Sequence, residues 1–248
     1  MNGAGGPAPV PFGVSDGPMG EFDADYIVAD NEWDELVWLW QQTDVPKGCR
    51  VEIIDGLVMV TPLAANAHHC IAGRVQRRLY EAIPQDWGIY QRLGMAVPSR
   101  LSLYMPDLAV VPEEALAGDA YFVPVDRAEL VVEITSKATL TNDRTHKAAG
   151  CAEAGVPLYL LIDGLAPGGP TITLYGEPRD GVYRILRAVK FGDPIKLPEP
   201  FDLTIDTAEF PVDWPARHPS SAATITSTGT DSTVDSRIES RASSSPAR

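Results

Sequence analysis

The sequence predicts an α/β protein in which a mixed sheet is flanked by helices. Three observations carry that prediction. Residues 129–134 and 158–162 are short, almost wholly apolar runs, the pattern of strands buried on both faces. Residues 31–43 and 66–82 place apolar side chains at helical spacing. Turn signals then separate these segments so that helices and strands interleave along the chain, in an α/β or α+β order.

The elements follow in order. Residues 31–43 carry Trp33, Leu36, Val37 and Trp40 at helical spacing, with Asp30 or Asn31 as the N-cap. Trp33, Trp38 and Trp40 read as core, although Trp38 lies off the apolar face and suits a dimer contact. Val51 to Ile54, the Asp55-Gly56 pair and Leu57 to Val60 form a hairpin signal. Residues 66–82 set Ile71, Val75 and Leu79 on one face, with Arg74, Arg77 and Arg78 around it. Strands are expected at 88–97 and 107–111, and Glu129 to Ile134 reads as a buried central strand. A helix from about Asn142 to Ala154 is stopped by Gly155 and Pro157. Leu158 to Ile162 is a further strand, and Thr171 to Tyr175 with Val182 to Leu186 resembles a second hairpin.

Composition bounds the organisation. With 248 residues, 44% hydrophobic and 22% charged, the chain suits one globular domain with loose ends. Residues 1–27 and 217–248, rich in Gly and Pro or in Ser and Thr, lack hydrophobic periodicity and read as disordered tails around a domain at 28–216. The formal net charge is −14, and residues 31–216 hold 26 acidic against 16 basic side chains. A protein that coats nucleic acid through its backbone charge needs a basic stripe, so that class is excluded. A metal-dependent enzyme is not, because a hard cation needs clustered carboxylates. No run of ~18 uncharged apolar residues is present, so no membrane span is expected. The N-terminus has no positive and apolar leader pattern. Cys49, Cys70 and Cys151 are widely spaced, form no CxxC pair and suit a reducing cytoplasm.

Two acids stand out. Pro106-Asp107 heads one apolar strand, and Glu133 stands at the end of another. An acid at the tip of a buried strand is costly without a hydrogen-bond or metal partner. Brought together on adjacent strands, the two make an oxygen-ligand site suited to magnesium or manganese.

Pro-Asp followed a strand later by Glu-x-x-Ser resembles the PD-(D/E)xK nuclease superfamily, and within it the restriction endonuclease family of Uma-two type. The motifs are Val51-Glu52-Ile53-Ile54-Asp55-Gly56; His68 opening a helix through Arg74 and Leu79; Met105-Pro106-Asp107-Leu108; Val132-Glu133-Ile134-Thr135-Ser136 with Thr139, Asp143 and Lys147; and Ala154-Gly155-Val156-Pro157-Leu158-Tyr159-Leu160-Leu161-Ile162-Asp163. The resemblance covers residues 45–210. It implies a restriction-endonuclease-like core and hydrolysis of phosphodiester bonds with Mg2+ or Mn2+, DNA being the default substrate and a homodimer suiting the cutting of both strands. Asp107 and Glu133 would hold the ion and Glu52 would add a third acid. The superfamily lysine is missing two residues after the acid, where Thr135 stands, and the family moves it to the next helix. Lys147 is the candidate and Lys137 its competitor. His68 and Arg74 are candidate contacts for a substrate phosphate.

Plainer readings stand beside these. Asp107 could start a strand, Glu52 could point to solvent, and Asp143 with Lys147 could be an exposed i,i+4 pair on a helix surface. His68 could lie on the surface or cap its helix, and Arg74, Arg77 and Arg78 could be a solvated face. Ser136 and Thr139 suit a helix cap better than a nucleophile, since no triad partners are placed with Ser136. The functional alternatives to a nuclease are a non-catalytic binding or regulatory protein that keeps the fold, and hydrolysis of another phosphate ester.

Overall fold

The computed structural model describes residues 31–211. The tails expected at 1–27 and 217–248 lie outside the described residues, as do the ends of the domain expected at 28–216.

Helix α1 (Glu32–Gln42) starts where Asn31 accepts a hydrogen bond from the Asp34 backbone N–H at 3.1 Å. Strands β1 (Arg50–Ile54) and β2 (Leu57–Thr61) form the expected hairpin. Its turn needs positive φ at two consecutive residues, and Asp55 (46°) and Gly56 (80°) supply it. Helix α2 (Asn66–Leu79) buries Ile71, Val75 and Leu79, the face read from the sequence.

Residues 88–97 are not one strand. They divide into β3 (Trp87–Tyr90) and β4 (Met95–Val97), which belong to different sheets. The break falls at Arg92, whose φ of 56° no strand tolerates. Then come β5 (Ser102–Tyr104), β6 (Leu108–Pro112), β7 (Val123–Pro124) and β8 (Leu130–Ile134). A π-helical turn over Asn142–His146 leads into α3 (Lys147–Glu153). Strands β9 (Leu158–Asp163), β10 (Thr171–Arg179), β11 (Val182–Lys190), β12 (Ile195–Lys196) and β13 (Thr204–Ile205) complete the order.

The expected mixed sheet is present as two. A six-stranded sheet runs β11-β10-β9-β8-β6-β3, with β8 and β9 parallel and joined through α3. A five-stranded sheet runs β2-β1-β5-β4-β7. Strand alternation sorts the side chains into layers. Leu108, Val110, Leu130, Val132, Leu160 and Ile162 pack with α2 on one face of the six-stranded sheet. Ala109, Val131, Tyr159 and Leu161 share the opposite layer with Cys151 of α3 and with Ile54, Met95 and Tyr104 of the second sheet. Ile53, Ala96 and Leu103, on the far side of that second sheet, pack under Leu36 of α1. The central strands of the five-stranded sheet are thus covered on both faces, whereas its edge strand β2 leaves Leu57 and Val60 exposed.

Candidate active site

The alternation that builds the core also gathers the charges. On β1, Val51 and Ile53 look one way, so Arg50, Glu52 and Ile54 look the other, into the layer between the sheets. Glu52 is therefore buried, at 2% exposure, rather than solvent-facing. On β8, Glu133 shares the side of Val131, the layer that α3 borders, and it is fully buried. Strand β6 pairs antiparallel with β8, Leu108 opposite Val132, so Asp107 enters its strand beside Glu133. Asp107 accepts a hydrogen bond from the Ile134 backbone N–H at 2.8 Å.

Lys147 joins these elements. Its Nζ lies 2.7 Å from Glu52 Oε1, 2.9 Å from Glu133 Oε1 and 3.5 Å from Asp143 Oδ1. Asp143 and Lys147 are an i,i+4 pair, but both are buried and not on a helix surface. Lys137, the competitor, is exposed. His68 is buried on the first turn of α2, and its Nε2 lies 2.9 Å from Asp107 Oδ2. It does not cap the helix, whose N-cap is Ala65. Arg74 is half-buried on α2, paired with Glu209. It is not among the residues that meet at the carboxylates. Ser136 and Thr139 hydrogen-bond each other's backbone N–H groups, a local cap.

One member, Arg50, is not singled out by the sequence, and another, Asp143, is marked there only as a motif residue and a helix pair. Arg50 reaches Asp107 Oδ1 at 3.1 Å, Glu52 Oε2 at 3.2 Å and the Met105 carbonyl at 2.9 Å. The available signal was its spacing of two from Glu52, which puts both on one strand face. Asp143 shares a helical face with Lys147, a signal that a plain surface pair also gives.

The cluster holds four carboxylates, Glu52, Asp107, Glu133 and Asp143, against the permanent cations Arg50 and Lys147. Burial pushes Glu133 well above the usual carboxylate range; Asp143 and Asp107 add to this and Lys147 opposes it. Asp143 is pushed up to about 6, by burial first and then by the charge of Asp107 against the pull of Lys147. Asp107 goes the other way. Burial would raise it, but His68, Arg50 and the Ile134 N–H outweigh that and hold it below the usual range. Burial disfavours the charged forms of Lys147 and Arg50, yet the surrounding carboxylates raise both above their ordinary values.

Oxygen donors of the kind a hard divalent cation takes are present here. Glu133 Oε2 and both Asp143 oxygens are buried without a hydrogen-bond partner, and the acids outnumber the fixed cations. Among the described residues no three His, Cys, Asp or Glu side chains form a ready-made metal cage. Magnesium commonly takes only one or two carboxylates and keeps water for its other positions; of the two expected ligands, Glu133 offers a free oxygen, while both Asp107 oxygens already have protein partners.

A family model described as Uma2, putative restriction endonuclease, matches residues 33–208. The chain belongs to this family. The Uma2 match spans every residue of the cluster. Among solved structures, the fold is similar to that of a protein from Anabaena variabilis ATCC 29413 described as a putative nuclease belonging to DUF820. The two share 16% identity with a TM-score of 0.51, over 64% of this chain and 86% of that one, which establishes a common fold. No curated protein matches the chain. No helix among the described residues is long and apolar enough to cross a membrane.

Proposed function

We propose that this Uma2-family chain is a metal-dependent endonuclease hydrolysing phosphodiester bonds, with DNA as its substrate. The observation that carries the reading is the buried meeting of Glu52, Glu133 and Lys147 beside Asp107. Asp107 and Glu133, with Glu52 as a further acid, would hold Mg2+ or Mn2+. Such an ion, when bound, polarises the scissile phosphate and makes water a stronger nucleophile at neutral pH.

The chain's own groups do the rest. Arg50 and His68 grip separate oxygens of Asp107 and fix its orientation. The Ile134 N–H adds a second bond to the oxygen that His68 holds. Lys147 keeps a fixed positive charge within hydrogen-bond distance of Glu52 and Glu133, where it offsets charge developing on a bound phosphate. In a site withdrawn from bulk water such fixed charge acts strongly.

A second reading draws on Arg50, which occupies both Glu52 and Asp107 with a cation of the protein's own. It makes the protein a non-catalytic binder that keeps the nuclease fold. Cleavage of single- and double-stranded DNA and RNA with magnesium or manganese, set against Asp107→Ala, separates the two. Metal-dependent cleavage that disappears in the variant supports the nuclease. No cleavage of any substrate, together with no heat of magnesium binding, supports the binder.

A further inference from the structure

Arg50 borders a second feature. A cavity of about 580 Å3 opens between the end of α1 and the start of β1, lined by Trp40, Gln41, Gln42, Arg50, Arg92 and Tyr121 among others. Its volume lies in the ~300–1,000 Å3 range of pockets that enclose small ligands.

The lining has a definite chemistry. The Trp40 indole N–H donates to the Val51 carbonyl at 2.9 Å, which fixes the ring against β1. Tyr121 is a large aromatic side chain that is 74% exposed, so the core does not account for it. Gln41 and Gln42 are exposed amides able to donate and accept. Arg92 is exposed and holds a left-handed backbone with φ 56°, a conformation a bulky residue keeps only where its surroundings impose it. What imposes it is on hand: the Arg92 backbone N–H donates to the carbonyl of Pro106, the residue just before Asp107. Arg50 lines the cavity and also grips Asp107. The cavity and the carboxylates thus share a wall.

Aromatic faces, amides and two guanidinium groups are the set that takes a nucleobase and its phosphate. A duplex offers no free base face, and its affinity rests on a basic surface. The chain's net charge of −14 disfavours that mode of binding. We propose that the cavity receives one unstacked base of a single-stranded segment, stacked on Trp40 and Tyr121, with the adjoining phosphate at Arg92 leading toward Asp107. This deepens the nuclease reading, on which it rests for the fate of the strand, by naming single-stranded nucleic acid as the substrate class.

The test is binding of the full chain, in EDTA, to a labelled single strand of about twelve nucleotides and to the same strand annealed to its complement. The single strand should bind more tightly than the duplex. Tyr121→Ala should weaken single-strand binding roughly tenfold, as expected for loss of one stacked base, with the melting temperature unchanged. Arg92→Asn, which keeps a residue tolerant of left-handed backbone, should weaken binding and flatten its salt dependence. Equal or tighter duplex binding, or an unchanged affinity in Tyr121→Ala, overturns the inference. Cleavage by the same preparations with magnesium keeps the two readings apart. Tyr121-dependent binding without cleavage upholds the cavity and sinks the nuclease. Cleavage of duplex that ignores Tyr121 does the reverse.

Discussion

Lys147 and Glu133 stand fourteen positions apart and meet at 2.9 Å with both side chains withdrawn from water. The same ammonium reaches Glu52 on the other sheet, so one lysine links α3, β8 and β1. The geometry shows how a lysine on the helix after the strand comes back into contact with the strand's acid. It also means that local changes here have calculable consequences.

Lys147→Met should be strongly destabilising, because it leaves Glu52 and Glu133 buried without their shared cation. Breaking one partner of a buried pair costs about 3–5 kcal/mol. Adding Glu133→Gln to Lys147→Met should recover part of that loss. Urea midpoints of the two variants check this, and equal midpoints for native chain and Lys147→Met would contradict it.

Stability without divalent metal should fall as pH rises from about 4.5 to 6.5. Asp143 holds its proton up to about 6 in the folded chain, above the unfolded range. A group raised in this way contributes stability that is complete below the ordinary carboxylate range and is lost as pH rises through its folded value. Glu133 is raised in the same direction, whereas Asp107 is lowered and acts only at more acid pH. Melting temperatures across the window, in EDTA, should drop for the native chain and change less for Asp143→Asn. A rise for the native chain would contradict the assignment.

Gly150→Ala should cost stability although alanine favours a helix by about 1 kcal/mol. A Cβ at residue 150 of α3 runs into the hydroxyl of Tyr104, which is buried and donates to the His146 carbonyl at 3.3 Å. Overpacking of this kind costs about 1–3 kcal/mol, so the clash wins. Adding Tyr104→Phe removes the nearest obstructing atom but keeps ring carbons about as close as 2.9 Å, so it should restore only part of the loss in a denaturant titration.

Two of the three thiols, Cys70 and Cys151, should separate by reactivity. Cys151 is buried and its thiol is pushed up, by burial first and by Glu133 next, with Lys147 opposing. Cys70 is exposed. Alkylation of the native chain followed by mass mapping should label Cys70 promptly and leave Cys151 intact until unfolding. Early label on Cys151 would mean that α3 opens from the sheet.

Much of the fold was legible where a local rule acted alone. Asp55-Gly56 specified its turn, Asn31 its cap, and Leu130 to Ile134 its strand. The run at 88–97 misled because its apolar content continues across Arg92, where a tertiary hydrogen bond to Pro106 turns the chain from one sheet to the other. β5 is three residues long, too short for periodicity to register. At the candidate site, Asp107, Glu133 and Lys147 are pointed to by the resemblance, and the structure brings them together. Glu52 stayed undecided because alternation tells which face a residue takes but not what covers that face. Arg50 was overlooked for the same reason: an arginine at a strand's start usually reaches solvent, and here a second sheet lies over it.

The division of the cluster between two sheets and a helix has a consequence for the chain during translation. Glu52, Asp107 and Glu133 all leave the ribosome before Lys147, and α3 is pinned only when β9 comes to lie parallel to β8. A nascent chain therefore carries Glu52 for 95 residues, and all three acids for 14, before the ammonium that gathers them is made. Whatever chemistry the cluster performs belongs to the finished domain, and an aborted product has none of it.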